Sequence, residues 1–135
     1  MNYLLVVQVF VRTPAWSILN RPQQFGQPLA QFQALQHHIA GMATALEQAR
    51  SMALYAAAAC ADQNAAMRSK ALSAAKVLVG QESLAMARRA VQLHGGMGMT
   101  DEVLVGHLFR RLMTINATWG SAEEHLQRYS ETLSP

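Results

Sequence analysis

The stretch LAQFQALQHHIAGMATALEQARSMALYAAAA, residues 29–59, decides the fold of this 135-residue chain. Apolar residues recur in it at alternating steps of three and four, the spacing of one face of an α-helix. The members of this stripe are Leu29, Phe32, Leu35, Ile39, Met42, Leu46, Ala49, Ala53 and Ala56. The pattern predicts a helix of about eight turns that starts after Pro28 and frays near Asp62-Gln63-Asn64.

Three further helices are predicted after this one. The second runs from about Ala65 to Leu93 and ends at His94-Gly95-Gly96, because glycine can take the positive φ that stops a helix. One of its faces holds Leu72, Ala75, Val79, Met86, Ala90 and Leu93. The acids of Thr100-Asp101-Glu102 favour the start of a third helix. That helix carries Val103, Leu104, Leu108, Leu112 and Ile115.

The fourth helix is short and spans Glu123 to Leu133, after a break at Gly120-Ser121. Long antiparallel helices with short connections predict an all-α protein, an up-and-down four-helix bundle. The methionines Met42, Met52, Met67, Met86, Met97 and Met99 are interpreted mainly as core filling.

The first 20 residues are atypical. The run YLLVVQVFV, Tyr3 to Val11, is β-branched and aromatic and favours a strand or a buried segment. A signal peptide is the weaker alternative, because no basic region precedes the run and no small-residue cleavage pattern follows it. We therefore predict two parts, an atypical N-terminal segment over 1–20 and a helical bundle over 21–135.

Composition excludes several classes of protein. With 51% apolar and 14% charged residues the chain is too apolar for intrinsic disorder. The net charge of +3 is the balance of 11 basic and 8 acidic residues, and the basic residues are scattered, which disfavours nucleic-acid binding. No apolar run reaches the roughly 18 residues that span a bilayer. These features predict a cytoplasmic protein without a membrane span.

Metal and thiol chemistry are also disfavoured. The single Cys60 cannot form a disulfide framework and is interpreted as a small buried apolar residue. His37 and His38 are adjacent, so they point about 100° apart on a helix and cannot chelate one ion together. His107 and His125 are isolated in sequence. We therefore expect no metal site.

Two segments carry more specific patterns. One is Gln24-Phe25-Gly26-Gln27-Pro28-Leu29 with its continuation to Met42, and the other is Ala90-Val91-Gln92-Leu93-His94-Gly95-Gly96-Met97-Gly98-Met99-Thr100. The second segment offers backbone amides beside an amide side chain at a helix end, which suits a phosphate-bearing ligand. The alternative is a plain helix C-cap followed by a turn, and the residues alone favour that alternative.

Together these segments resemble the C-terminal helical domain of the acyl-CoA dehydrogenases, over about residues 21 to 132. The resemblance implies a flavoprotein oxidoreductase of fatty acid metabolism that dehydrogenates an acyl-CoA substrate at its α and β carbons. It also implies FAD as cofactor and an oligomer that buries FAD at subunit contacts. The expected cofactor-binding residues are Arg21, Phe25, Gln33, Gln92, Leu93, His94, Gly95, Gly96, Ser121, Ala122 and Glu123.

Three departures from the family pattern limit these expectations. Pro22 stands where the family usually has the pyrophosphate-binding arginine, and Arg21 is displaced by one position. Trp119 stands where many members carry the catalytic glutamate, and an indole cannot accept an α proton, so no catalytic residue is assigned. The family's N-terminal helical and middle β domains are unmatched.

The run from His107 to Leu126 is most similar to the branch with small subunits of heteromeric enzymes, such as the pimeloyl-CoA type.

The sequence therefore predicts an FAD-contacting, oligomerising bundle, present as a fragment that is inactive alone. The abrupt change before Pro22 indicates a truncated or frameshifted gene product. The alternative is a non-catalytic helical module that assembles with itself or with a longer acyl-CoA dehydrogenase chain.

Overall fold

The computed structural model describes residues 23–24 and 26–133. They form four α-helices: α1 (Gln33–Ala59), α2 (Ala65–Leu93), α3 (Leu104–Ala117) and α4 (Ala122–Glu131). A two-residue antiparallel pair, β1 (Gln23–Gln24) and β2 (Gln27–Pro28), precedes them. The predicted all-α four-helix bundle is confirmed. The expected strand at 3–11 and the segment 1–20 lie outside the described residues.

The boundaries of α1 and α2 follow from local chemistry. Leu29–Gln31 forms a 3-10 turn and Phe32 is extended, so α1 begins four residues later than its apolar stripe. Asn64 caps α2, because its side-chain oxygen accepts hydrogen bonds from the amides of Ala66 (2.9 Å) and Met67 (3.3 Å). The predicted span of α2, Ala65–Leu93, is confirmed.

The core lies where α2 meets the other helices. Its buried cluster contains Met42, Leu46, Met86, Ala87, Ala90, Val105 and Leu112. α2 contacts α1, α3 and α4. Most of its buried residues are small: Ala71, Ser73, Ala75, Val79, Gly80, Ser83, Met86, Ala87 and Ala90. Small side chains let neighbouring helix axes approach closely.

Several expectations about burial are wrong. Cys60 is exposed, because it follows the last residue of α1 and enters the connection to α2. Leu72 remains 43% exposed on α2. Met42 and Met86 are buried as expected, whereas three methionines at the start of α2 and in the turn after it are exposed, namely Met67, Met97 and Met99.

The third helix begins later than predicted. Thr100, Asp101 and Glu102 form a turn, and α3 starts at Leu104 with Val103 as a cap that lacks a side-chain hydrogen bond. The Asp101 carboxylate accepts a hydrogen bond from Arg110, a residue in the middle of α3, and does not cap that helix.

The described residues 23–24 and 26–133 contain neither a membrane-spanning helix nor a cluster of metal ligands. None of their helices has both the length and the apolarity that crossing a bilayer requires. Within the same ranges, no three His, Cys, Asp or Glu side chains are grouped closely enough to hold a metal ion.

Candidate functional site

Two grooves adjoin the segments that the sequence singles out. The Gln92 groove lies between α2, the following turn and α3, and has a volume of about 410 Å³. It is lined by Arg88, Val91, Gln92, Gly98, Met99, Gly106, Phe109 and Arg110. The Ser121 groove lies between α2 and the start of α4, and has a volume of about 340 Å³. It is lined by Gln81, Leu84, Arg88, Asn116, Ser121, Ala122 and Glu123.

The structure brings Gln92 and the Ser121–Glu123 segment to one face of α2. Arg88 lines both grooves and therefore connects the two segments. Gln33, by contrast, is exposed at the first residue of α1 and lines neither groove. Arg21 and Phe25 lie outside the described residues.

After α2 ends, the chain turns sharply, and this turn forms the floor of the Gln92 groove. Gly95 has φ +60°, as expected for the residue that stops the helix. Gly95–Met99 then forms a 3-10 turn, which the Thr100 hydroxyl closes by donating to the Met97 carbonyl at 2.8 Å. Gly95 and Gly96 are exposed, whereas Gly98 is buried.

The side chains of the segment Gln92–Gly96 divide between two directions. Gln92 is exposed and faces the groove. Leu93 packs against the core. His94 is buried, and its Nδ1 lies 2.7 Å from the Ala90 carbonyl. Since a carbonyl only accepts, Nδ1 donates this hydrogen bond. The other ring nitrogen, Nε2, is buried and has no polar partner among the described residues.

Arg110 and Asp101 form an ion pair beside the Gln92 groove. Arg110 Nη2 lies 2.6 Å from Asp101 Oδ1. The hydrogen bond from Arg110, together with its charge, lowers the pKa of the Asp101 carboxyl below its ordinary value. His107 Nε2 lies 3.0 Å from the Asp101 carbonyl and adds a second link to this turn. The charge of Arg110 is therefore already balanced by a carboxylate.

The Ser121 groove is bounded by a constrained connection between α3 and α4. Trp119 has φ +66° and is 90% exposed, and Gly120 has φ +98°. Lys76 Nζ donates to the carbonyls of Ile115 (3.3 Å) and Thr118 (2.9 Å), and burial lowers the pKa of Lys76. His125 Nε2 lies 3.0 Å from the Trp119 carbonyl. The Lys76 side chain from α2 and the His125 side chain from α4 thus both contact the backbone of the connection between α3 and α4.

A helix cap and one exposed carboxylate follow this connection. Ser121 and Glu124 form a reciprocal capping box: the Ser121 hydroxyl accepts from the Glu124 amide, and the Glu124 carboxylate accepts from the Ser121 amide. Glu123 is exposed in the groove. The indole of Trp119 offers one donor and no basic lone pair.

The sequence analysis did not identify Arg88 and Arg110 as residues that line the site. Arg88 precedes Gln92 by four residues, and residues at that spacing share one helix face. This spacing was the available signal for Arg88. Arg110 lies on a different helix, and no local pattern connects it with Gln92.

Comparison with known proteins gives the same family from sequence and from structure. The family model described as the acyl-CoA dehydrogenase C-terminal domain matches residues 8–133 and so begins inside the segment 1–20. A 3-sulfinopropanoyl-CoA desulfinase of Paraburkholderia xenovorans is 32% identical over 103 residues, which are 76% of this chain and 26% of that protein. The caffeyl-CoA reductase-Etf complex subunit CarC of Acetobacterium woodii is 39% identical over 95 residues, 69% of this chain and 24% of that protein.

Solved structures agree with these sequence matches. A structure described as the Tcur3481-Tcur3483 steroid ACAD G363A variant superposes with a TM-score of 0.88 at 30% identity, covering 97% of this chain and 36% of that one. The chain spans about a quarter of the length of the curated relatives it matches. It belongs to the acyl-CoA dehydrogenase family, and it corresponds to the C-terminal domain of that family's flavoproteins.

Proposed function

We propose that this chain is the FAD-contacting and oligomerising bundle of an acyl-CoA dehydrogenase-like flavoprotein, and that it does not dehydrogenate acyl-CoA alone. The observation that carries the proposal is the shared surface of Gln92 and Ser121–Glu123 on either side of Arg88. These are two of the segments that the family resemblance assigns to FAD. In such an enzyme the flavin supplies the hydride acceptor for acyl-CoA oxidation.

The chemistry of the grooves fits part of this cofactor. Gln92 is exposed and has no hydrogen-bond partner among the described residues, so its amide can donate to and accept from a ligand. Ser121 and Ala122 line the second groove. Leu93 and His94 point inward, so within the proposed site they support the turn while Gln92 and the exposed Gly95 and Gly96 contact the cofactor.

The absence of turnover follows from the residues at the reacting position. Trp119 occupies the place where the resemblance puts the catalytic glutamate, and the neighbouring Glu124 carboxylate is engaged in the capping box. We further propose that 21–135 is the bundle proper and that 1–20 is not part of it. In the parent enzyme the acyl-CoA substrate would lie between this bundle and other domains.

FAD binding by the purified chain tests the proposal. We expect weak saturable binding in equilibrium dialysis, and Gln92→Ala should weaken it about fivefold, the effect of one net hydrogen bond. Gln48→Ala, on the exposed face of α1, is the matched control and should leave binding unchanged. Acyl-CoA with an artificial electron acceptor should give no turnover. Measurable turnover, or equal effects of the two glutamine variants, would contradict the proposal.

A second candidate, an assembly module, is supported by the apolar surface. Large apolar side chains are exposed on every helix, among them Leu54 (72%), Leu104 (54%) and Leu126 (50%). Apolar surface that an isolated bundle leaves exposed is suited to burial against another chain. Between α1 and α2 an apolar hollow of about 680 Å³ adds to this surface. The partner would be a second copy of this chain or a longer acyl-CoA dehydrogenase chain.

Self-association is expected if these faces form an interface between copies. Sedimentation velocity over a wide concentration range should show a mass that increases with concentration. Leu54→Gln, on the exposed face of α1, should shift the distribution towards monomer, because it removes apolar area from the interface. A single monomeric species at every concentration would rule out assembly with itself.

A further inference from the structure

Trp119 is the most exposed large apolar side chain among the described residues, with 90% of it open to solvent. It lies in the connection between α3 and α4 at φ +66°, a left-handed backbone that bulky residues rarely adopt. Strained conformations of this kind persist only where the surrounding structure fixes them, and they are concentrated at functional sites. An indole held in water by such a backbone therefore indicates contact with another molecule.

Side chains from two helices hold the backbone on either side of this indole. Lys76 Nζ donates to the Thr118 carbonyl at 2.9 Å, and His125 Nε2 donates to the Trp119 carbonyl at 3.0 Å. His125 is itself anchored to α2, because its Nδ1 lies 3.3 Å from the hydroxyl of the buried Ser73. The position of Trp119 is thus set before a partner arrives, which lowers the entropy that binding costs.

The α1–α2 hollow is the apolar depression of about 680 Å³ between these two helices. Ala43, Met52 and Leu78 form its apolar lining. Its volume lies within the range of about 300–1,000 Å³ that accommodates ring-containing ligands, so the hollow can admit an indole.

The polar lining of the α1–α2 hollow matches the single donor of an indole. Ser51 Oγ donates to the Glu47 carbonyl at 2.9 Å and Thr44 Oγ1 donates to the Ala40 carbonyl at 3.1 Å, so both hydroxyl oxygens remain acceptors. The Glu47 carboxylate also lines the hollow and, when ionised, only accepts. Tryptophan combines a large apolar body with one N–H donor, and the hollow combines an apolar lining with several acceptors.

One chain cannot bring these two features together. Lys76 contacts the connection that carries Trp119, whereas Leu78, two residues later on α2, lines the hollow. Residues two apart point about 200° apart around a helix, so the connection and the hollow lie on opposite sides of α2. The hollow of one copy is therefore open to Trp119 of another copy.

From these observations we infer that Trp119 of one copy of this chain docks into the α1–α2 hollow of a second copy. The inference rests on the assembly of the chain with itself proposed above, and it specifies the two surfaces that meet. Because these surfaces differ, the contact is heterologous, and a docked pair still has one free indole and one free hollow. A tryptophan buries about 150–250 Å², against about 800 Å² per partner in a standard interface, so the association is weak and depends on concentration.

Complementation between two variants tests this contact. Trp119→Asn removes the indole and introduces a residue that tolerates the left-handed backbone. Ala43→Arg fills the hollow from an exposed position of α1. In sedimentation velocity each variant alone should associate at least about thirtyfold more weakly than the unchanged chain, the usual effect of truncating an interface anchor. A one-to-one mixture should form a heterodimer and nothing larger, because the pair contains one intact indole and one intact hollow.

Two control variants make comparable changes outside the contact. Met113→Gln removes an exposed apolar side chain from α3, and Ala58→Arg adds an arginine at an exposed position near the end of α1. Both should associate as the unchanged chain does. The urea denaturation midpoints of all four variants should stay close to that of the unchanged chain, so that a loss of association is not a loss of folding.

The possible results separate this inference from the proposed function. If the chain associates but neither Trp119→Asn nor Ala43→Arg weakens the association, or if the mixture forms no heterodimer, the inference is overturned while self-association stands. It is also overturned if only one variant acts: Ala43→Arg alone would mean that another segment, such as residues 1–22, fills the hollow, and Trp119→Asn alone that the indole docks elsewhere. A single monomeric species at every concentration overturns both the inference and assembly of the chain with itself, and leaves FAD contact untouched.

Discussion

Gly98→Ala is expected to lower the free energy of unfolding by about 2 kcal/mol, the usual range for forcing an extra carbon into a packed site. A Cβ at Gly98 would stand 2.6 Å from the Val91 carbonyl oxygen and 3.0 Å from the His94 Cβ. The Val91 oxygen belongs to the last turn of α2 and cannot move without shifting that helix end. The strain therefore falls on backbone, where rotamer changes cannot relieve it.

Urea denaturation measures this loss of unfolding free energy. The control variant changes another glycine in the same turn. Gly96→Ala adds the same carbon two residues earlier, where no other atom lies within 4 Å, and should change stability by less than about 0.5 kcal/mol. Gly98→Ala should also weaken the proposed FAD binding, because Gly98 lines the Gln92 groove. Equal stability of the two variants would show that the turn does not pack against α2 as described.

Leu112→Ala is expected to cost about 3 kcal/mol, within the range observed for truncating a fully buried leucine. Leu112 is 0% exposed and belongs to the core cluster with Met42 and Met86 from two other helices. Its removal leaves a cavity at the junction of three helices, and such a cavity collapses only in part.

Leu104→Ala is the matched control for this variant, because it makes the same change two turns earlier on α3. Leu104 is 54% exposed, so its truncation should cost well under 1 kcal/mol. The shift in denaturation midpoint at a constant m-value separates the two variants. A loss at Leu112 as small as that at Leu104 would mean that α3 is not docked on α2.

The two long helices were predictable because their signals are local. The apolar stripe from Leu29 fixes the face of α1, and Asn64 and Gly95 delimit α2 through a cap and a positive φ. The start of α3 was not predictable in the same way. Asp101 has the local chemistry of a cap, but its carboxylate is bound by Arg110, and a tertiary contact of that kind leaves no periodic trace in the sequence.

Burial was predicted less well than helix position. A helical period identifies a face, but only the neighbouring helices decide how much of that face they cover. Cys60 and Leu72 have apolar neighbours in sequence, yet they lie exposed at or near the connection between α1 and α2. Met42 and Met86 follow similar patterns and are enclosed near the centre of the bundle.

The candidate site was partly predictable. Gln92 and Ser121–Glu123 were indicated by resemblance, and the structure places them along grooves that share Arg88. Nothing in the motifs indicates Arg88, because its significance depends on α3 and α4 forming the far walls of those grooves. Trp119 was identified as a substitution at the base position, but its left-handed backbone and 90% exposure required the structure.

The central position of α2 has a consequence for how this protein can evolve. α2 contacts all three other helices, and its exposed residues Gln81, Arg88 and Gln92 line the two grooves. Its enclosed small residues, such as Ala87 and Ala90, tolerate little increase in side-chain volume, because the neighbouring helices pack against them. Substitutions on α2 can therefore change the lining of the grooves at its exposed positions while the volume of its enclosed positions stays fixed.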